Sequence, residues 1–259
     1  MSVALKDIIA QMEVLAPQGL AADWDNCGLL FGDPEQPINK ILLALEADMA
    51  VVAEAEQKGC ELLIVHHPLI FKPLKKLFAG NYVSDVLISL IKKSIACYAA
   101  HTNLDNAPLG VNFALTKALG LTEIEPLAEM DNDNPCYIGT LSYALEWLEL
   151  VKLVKSILGI DFIKTVPKNG LFQKIAVCGG AGMSFWQFAQ KAGADCLISA
   201  DSSYHEGIEA SHAGMALIDG GHYHTEFFIV SHLAAYLKEK FTELEVHVST
   251  VNTNPWQNF

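Results

Sequence analysis

Residues 40–68 of this 259-residue chain read KILLALEADMAVVAEAEQKGCELLIVHHP. The segment opens with an apolar run, Ile41 to Leu45, and closes with a second one, Leu62 to Val65. Between them, Met49 to Lys58 has helical character, and Gly59 ends it. Short apolar runs that alternate with helices of about ten residues are typical of parallel strands covered by helices. The segment therefore predicts a strand, a helix and a second strand.

The same order of elements recurs later in the chain. At an offset of 134 residues, Lys40-Ile41 aligns with Lys174-Ile175, Gly59 with Gly193, and Leu63-Ile64 with Leu197-Ile198. Chance similarity of two such units is the alternative, but strand, helix, glycine and strand all stay in register, which favours duplication. We therefore predict an α/β fold with a largely parallel sheet and two related halves.

The division between the halves is expected between Leu121 and Pro135. There Pro126 and the polar run 131–135 are typical of a linker. The predicted subdomains are residues 1–125 and residues 126–259.

Composition excludes several classes of protein. Hydrophobic residues make up 51% of the chain and mean hydropathy is +0.27, which indicates a folded core. The apolar runs are far shorter than the roughly 18 residues that a membrane span needs, so no membrane segment is expected. The N-terminal residues lack the pattern of a secretory signal, which predicts a cytoplasmic protein. The six widely spaced cysteines are expected to be buried, reduced thiols.

Charge argues against nucleic acid as a partner. The chain has 17 basic and 30 acidic residues, a net charge of −13, which would repel a phosphate backbone. Lys72, Lys75 and Lys76 form the densest basic cluster.

Histidines follow the predicted strands, at the edge where open α/β sheets gather functional groups. His66 and His67 come directly after the run Leu62 to Val65. Neighbouring side chains on a strand point to opposite faces, so two adjacent imidazoles do not easily chelate one ion. They could serve two metal ions about 3.5 to 4 Å apart, although an isolated His-His is more often a polar turn.

Two further clusters pair a histidine with a carboxylate four residues later. His101 and Asp105 follow one predicted strand, and His222 and Glu226 follow another. On a helix, residues four apart lie on one face, which is metal-ligand spacing. Glu226 could bridge two cations, as an imidazole cannot. Alone, the second cluster could be an ordinary helical pair and the first a turn, but three such clusters at strand ends favour metal binding.

His205 follows Asp201 at the corresponding strand end of the second half. Two roles are left open for it: proton transfer, or holding Asp201 in place. The remaining histidines are expected to be surface or packing residues, namely His212, His224, His232 and His247.

Taken together, the motifs resemble those of the Nif-three-like family, whose members are often labelled GTP cyclohydrolase 1 type 2 homologues. The resemblance spans nearly the whole chain and rests on Trp24-Asp25-Asn26-Cys27-Gly28-Leu29, His66-His67-Pro68-Leu69-Ile70-Phe71, His101-Thr102-Asn103-Leu104-Asp105, Gly110-Val111-Asn112, Gly221-His222-Tyr223-His224-Thr225-Glu226 and Asn254-Pro255. One departure is Ser199-Ala200-Asp201, where the family more often has Thr-Gly-Asp.

The resemblance implies two intertwined α/β subdomains and a homohexameric ring with its metal sites facing an internal cavity. It also implies a dinuclear metal site whose ligands are His66, His67, Asp105, His222 and Glu226, with His101 and His205 beside it. Imidazole and carboxylate ligands suit Zn, Fe, Mn or Ni about equally, so the sequence leaves the two divalent ions unidentified.

Two functions follow as hypotheses. The first is a metal-dependent hydrolase that acts on a nucleotide or another anionic small molecule, with His101 or His205 moving the proton. The second is a metal-binding regulatory or interaction protein without turnover.

Overall fold

A computed structural model describes residues 2–127 and 136–257. The strands are β1 (Val3–Ala4), β2 (Gly28–Phe31), β3 (Pro37–Ile38), β4 (Lys40–Ala44), β5 (Leu62–Val65), β6 (Ala96–Ala99), β7 (Thr122–Pro126), β8 (Tyr137–Glu146), β9 (Lys164–Val166), β10 (Leu171–Val177), β11 (Cys196–Ser199), β12 (Ala216–Asp219) and β13 (Glu245–Val248). The helices are α1 (Leu5–Leu15), α2 (Met49–Lys58), α3 (Tyr82–Lys93), α4 (Thr102–Asp105), α5 (Val111–Ala118), α6 (Trp147–Leu158), α7 (Trp186–Lys191), α8 (Tyr204–Ala213), α9 (His222–Glu226) and α10 (Phe228–Lys240). The predicted α/β fold class is confirmed.

The chain forms two compact units. The first contains the residues up to Ala107 together with Val230–Gln257, and the second spans Pro108–Ile229. These units follow packing, whereas the predicted division after residue 125 follows the sequence repeat and stays a prediction. Pro126 closes β7, and the polar run 131–135 lies outside the described residues.

The sheet of the first unit has the strand order β13-β4-β5-β6-β2. The first four strands are parallel, and β2 is an antiparallel edge strand. All residues of β5 and β6 are buried, as expected for central strands of a parallel sheet. Helices α2 and α3 supply Val52 and Leu90 to the core that these strands share.

The sheet of the second unit has the order β7-β8-β10-β11-β12-β9. Its β10, β11 and β12 are parallel, while β7, β8 and β9 pair antiparallel with their neighbours. The prediction of a largely parallel sheet therefore holds here only for the three central strands. The ten-residue β8 exposes part of its length, which an antiparallel strand tolerates better than a parallel one.

Strand register shows that the two units repeat one motif. In the first unit Leu42 pairs with Leu63 between β4 and β5, and in the second Ala176 pairs with Leu197 between β10 and β11. Both pairs are separated by the 134-residue offset of the sequence alignment. The duplicated strands thus keep the same register.

The turn before the second strand of each repeat is also the same. Gly59 and Gly193 both have positive φ, +68° and +79°, which ends the preceding helix at no steric cost. Glu61 then accepts a hydrogen bond from the Lys40 amide at 2.8 Å, and Asp195 accepts one from the Lys174 amide at the same distance. A carboxylate therefore caps the start of the first strand in both repeats.

Five of the six cysteines are buried, and Cys27 is half-buried. Burial raises the pKa of the Cys60 thiol to about 11, so this thiol stays protonated at neutral pH. Among the described residues, no helix is both long enough and apolar enough to cross a membrane.

Candidate metal centre

Three histidines gather at the carboxyl ends of β5 and β6 in the first unit. His66 and His67 follow β5, and His101 follows β6. One ring nitrogen from each lies within 4.8 Å of the others. The parallel neighbours β5 and β6 end at the same edge of the sheet, and this brings residues more than thirty positions apart in the chain together.

Asp105 joins these histidines through the single-turn helix α4. Its amide donates to the His101 carbonyl at 2.9 Å, which fixes the turn that follows β6. The Asp105 Oδ1 atom then lies 3.6 Å from Nε2 of His66. His66 is buried and Asp105 is mostly buried, so a carboxylate and an imidazole nitrogen face each other away from bulk water.

A backbone carbonyl determines the tautomer of His66. The Nδ1 atom of His66 lies 2.8 Å from the carbonyl oxygen of Ala100. A carbonyl only accepts hydrogen bonds, so Nδ1 carries the proton and Nε2 keeps its lone pair. Metal-binding histidines typically have this arrangement, in which an acceptor on one nitrogen orients the other towards the ion.

Carboxylates play the same role for the other two histidines. Nδ1 of His67 lies 2.9 Å from Oε1 of Glu46, and Nδ1 of His101 lies 2.9 Å from Oδ1 of Asp25. Burial opposes the charge on Asp25, but hydrogen bonds from His101, Thr102 and Cys27 outweigh it and hold the Asp25 pKa below its usual range. An ionised acceptor on Nδ1 leaves Nε2 of each ring as the electron-pair donor.

The second unit carries its own pair on α9. Nε2 of His222 lies 3.2 Å from Oε1 of Glu226, which confirms that the two side chains share one helical face. Asp201 accepts from Nδ1 of His222 at 2.8 Å. The fourth histidine therefore has its Nδ1 on an acceptor as well. Glu226 is 4% exposed.

Gly180 leaves the space that the Glu226 carboxylate occupies. A methyl group at Gly180 would lie 2.0 Å from Oε1 of Glu226 and 3.2 Å from Nε2 of His222. The Gly180 φ of +63° also favours glycine. Its amide donates to the Thr225 hydroxyl at 3.0 Å, so the loop after β10 is fixed to α9. Any side chain at residue 180 would displace the pair.

Asp219, at the end of β12, joins the two loops that carry Asp201 and His222. It accepts hydrogen bonds from the amide and hydroxyl of Ser202 and from the amide of Gly221. Burial raises its pKa, but hydrogen bonds from Lys164 and Ser202 together with two backbone amides outweigh burial, and the net pKa is lowered. Asp219 is therefore an ionised clamp behind the His222 pair.

The residues present fit divalent metal ions. Four imidazoles have their Nδ1 on an acceptor, and carboxylates lie beside them in both units. Nitrogen and oxygen donors without thiolate suit Zn, Fe, Mn or Ni. The orientation of each ring is fixed by the protein before any ion binds, which is the second-shell arrangement of known metal sites.

His205 and His224 occupy different surroundings. His205 is exposed on the first turn of α8, with its ring 5.7 Å from that of Tyr204, and its role in proton transfer stays a prediction. His224 is half-buried on α9, and burial lowers its pKa. Asp201, which His205 was expected either to hold or to accompany, is bound to His222.

Sequence reasoning missed the carboxylates that orient the imidazoles. Glu46 directly follows the apolar run that forms β4, so the strand-end rule that found the histidines could also have found it. Asp25 lies 76 residues from His101, and only the motif Trp24-Asp25-Asn26 marked it. No spacing rule connects positions so far apart.

Comparison with known proteins gives a consistent result. The family model described as Duf34/NIF3 (NGG1p interacting factor 3) matches residues 3–255. A Clostridium perfringens protein named GTP cyclohydrolase 1 type 2 homolog is 34% identical over 258 residues, 98% of each chain. A Helicobacter pylori protein named GTP cyclohydrolase 1 type 2 is 33% identical over 224 residues, 86% of each chain. The crystal structure of a Staphylococcus aureus hypothetical protein matches with a TM-score of 0.94 and 28% identity, over 99% of both chains.

Proposed function

This chain belongs to the Duf34/NIF3 family, and on that premise we propose that it binds two divalent metal ions and hydrolyses an anionic small molecule. The family match confirms the resemblance seen in the sequence motifs. A purine nucleotide is the first substrate to test, because curated relatives carry the name GTP cyclohydrolase 1 type 2 or its homolog.

The observation that carries the proposal is the common state of four histidines. His66, His67, His101 and His222 each have Nδ1 within 2.9 Å of an oxygen acceptor. A histidine that only packs in a core needs no such acceptor on one chosen nitrogen. Four rings with the same nitrogen held and the other available favour metal ligation over packing.

We assign the ligands to both units. His66, His67 and Asp105 come from the first, and His222 and Glu226 come from the second. Adjacent imidazoles suit two ions better than one, and Glu226 is the carboxylate proposed to bridge them. The ions are Zn, Fe, Mn or Ni.

When bound, two such ions would polarise a substrate oxygen and allow water to act as a nucleophile near neutral pH. The protein itself supplies the proton path. His101 has Asp25 on its Nδ1, so its Nε2 can accept a proton and the carboxylate then stabilises the imidazolium, as in a catalytic triad. His205 is the second proposed proton-transfer residue.

Charge supports an anionic substrate. The chain has a net charge of −13, and two divalent ions would add about four positive charges at one place. An anion would therefore be attracted locally to a site on a protein that repels it elsewhere.

Elemental analysis of protein purified without an affinity tag tests metal binding. We expect close to two metal ions per chain. A chain that retains no metal after reconstitution with Zn, Fe, Mn or Ni would overturn the assignment.

Turnover is tested with GTP and simple phosphoesters in the presence of each metal. We expect activity that requires metal and is lost in Glu226→Ala but kept in His224→Ala, which changes the same helix. Turnover that Glu226→Ala leaves unchanged would indicate a contaminant. Bound metal without turnover of any substrate would replace the hydrolase with a metal-binding protein that lacks catalysis.

We also infer a cytoplasmic protein that assembles as a homohexameric ring. The family resemblance supports this assembly. Light scattering of the purified protein tests it, with an expected mass six times that of the 28.2 kDa chain. A monomer at all concentrations would contradict it.

A further inference from the structure

Two aromatic side chains stand exposed beside the three-histidine group. Trp24 is 61% exposed and Phe71 is 44% exposed, with their ring centroids 5.7 Å apart. The Trp24 ring lies 6.1 Å from that of His101, and the Phe71 ring lies 6.4 Å from it. Large aromatic side chains are mostly buried in folded proteins, so a neighbouring exposed pair at a site of chemistry needs an explanation.

The loops that carry these rings are fixed to one another. The Asn26 side-chain amide donates to the carbonyl of Ile70 at 2.5 Å, which joins the residues next to Trp24 and Phe71. Asp25 accepts from the amide and hydroxyl of Thr102. Trp24 and Phe71 are therefore held in place by their neighbours without being buried. A preorganised aromatic surface loses little conformational entropy when a ligand binds.

Positive charge continues from the same loop. Phe71 begins an exposed segment, residues 71–82, that includes Lys72, Lys75 and Lys76. Residues 66–84 contain no Asp or Glu, in a chain with 30 acidic residues. The chain has no arginine, so anion binding by side-chain cations depends on lysines. An aromatic pair is thus followed directly by the densest cationic segment of an acidic protein.

We propose that Trp24 and Phe71 form a platform on which a planar heteroaromatic ring stacks, while Lys72, Lys75 and Lys76 hold an anionic group of the same molecule. The inference rests on the proposed function, whose substrate class it narrows to nucleotide-like molecules. Aromatic side chains stack on any base because every base has a π-face. His101 is next to both rings, so a stacked ligand lies beside the proposed proton-transfer residue.

Calorimetric titration of the metal-loaded full chain tests the platform. The probes are GTP, ATP, UTP and inorganic triphosphate, which has the anion without the ring. Trp24→Ala and Phe71→Ala should each weaken nucleotide binding about tenfold and leave triphosphate binding nearly unchanged. Trp24→Phe should restore most of the affinity. Phe78→Ala, which removes another exposed ring of the same segment, is the matched control and should change neither.

Lysine substitution tests the other half of the platform. Replacing Lys72, Lys75 and Lys76 with alanine should weaken nucleotides and triphosphate alike. Metal content and thermal unfolding of every variant should match the unsubstituted protein, because the replaced side chains are exposed.

Several results would overturn the platform. These are the absence of nucleotide binding to the metal-loaded protein, nucleotide binding that Trp24→Ala does not change, and an equal loss for triphosphate in Trp24→Ala. A Phe78→Ala variant as weak as Phe71→Ala would indicate a general apolar docking surface instead. Ring-dependent binding without hydrolysis keeps the platform and rejects the hydrolase. Hydrolysis with an unchanged KM in Trp24→Ala does the reverse.

Discussion

Oε1 of Glu46 lies 2.9 Å from Nδ1 of His67, and the hydroxyl of Thr253 donates to the other oxygen of the same carboxylate. A residue near the C-terminus therefore orients Glu46, and Glu46 orients a candidate metal ligand. The carboxylate fixes the proton on Nδ1 and leaves Nε2 available. The segment after β13 thus reaches the metal centre of its own unit without contributing a ligand.

Replacing Glu46 with glutamine should weaken metal binding. The charge that stabilises the Nδ1–H tautomer of His67 is lost, and outer-shell changes of this kind typically cost 10- to 100-fold in metal affinity. Competition with a chelator measures the affinity. Glu35→Gln removes an exposed carboxylate that pairs with Lys6 and should have no effect. Equal affinity in Glu46→Gln and the unsubstituted protein would reject the orienting role.

Gly180→Ala should lower metal content while the chain stays folded. The added methyl group would meet the Glu226 carboxylate, and the positive φ adds strain. Gly59→Ala is a suitable control, because its φ is similarly positive but nothing lies within 4 Å of the added carbon. Both should lose stability, and Gly180→Ala alone should lose metal. Full metal content in Gly180→Ala would mean that Glu226 is not a ligand.

His222→Ala and His224→Ala should behave differently although both change α9. His222 faces Glu226, whereas His224 is buried elsewhere on the helix, where the backbone of Leu158 is its hydrogen-bond partner. Metal content and the metal-dependent rise in Tm should fall in His222→Ala and stay nearly intact in His224→Ala. Bound metal contributes RT ln(1 + [L]/Kd), about 4 kcal/mol at a thousandfold excess over Kd. Loss of metal in His224→Ala alone would show that the ligand face is misidentified.

Glu54 should make stability depend on pH at a place unrelated to the metal ligands. Burial raises its pKa, but hydrogen bonds from Ser249 and Thr250, with the charge of Lys58, outweigh burial and lower it. A carboxyl with a lowered folded-state pKa stabilises the protein above its unfolded value, about 4.3, and this is lost as pH falls through the folded value.

Glu54→Gln should therefore cost about 1 to 3 kcal/mol of unfolding free energy at pH 7 and less at pH 3. Urea unfolding at several pH values measures the difference. Glu56→Gln, an exposed change on the same helix, is the control. A constant difference across the pH range would contradict the assignment, because a purely steric effect does not titrate.

Sequence determined the local elements and the residues at strand ends. Apolar runs specified β4, β5 and their counterparts, since a fully buried strand needs an uninterrupted apolar segment. The offset of 134 residues located the repeat, and the structure has the same register in both copies. The histidines were found because residues that follow parallel strands share one edge of the sheet.

Only the tertiary structure decided which groups orient those histidines and which rings lie beside them. Asp25 and His101 are 76 residues apart, and Thr253 and Glu46 are 207 apart. The return of β13 to the first sheet and the antiparallel edges of the second were equally invisible. Period and spacing describe neighbours along one helix or strand, whereas these contacts form where separate loops meet. Their geometry depends on how whole elements pack, which no local pattern encodes.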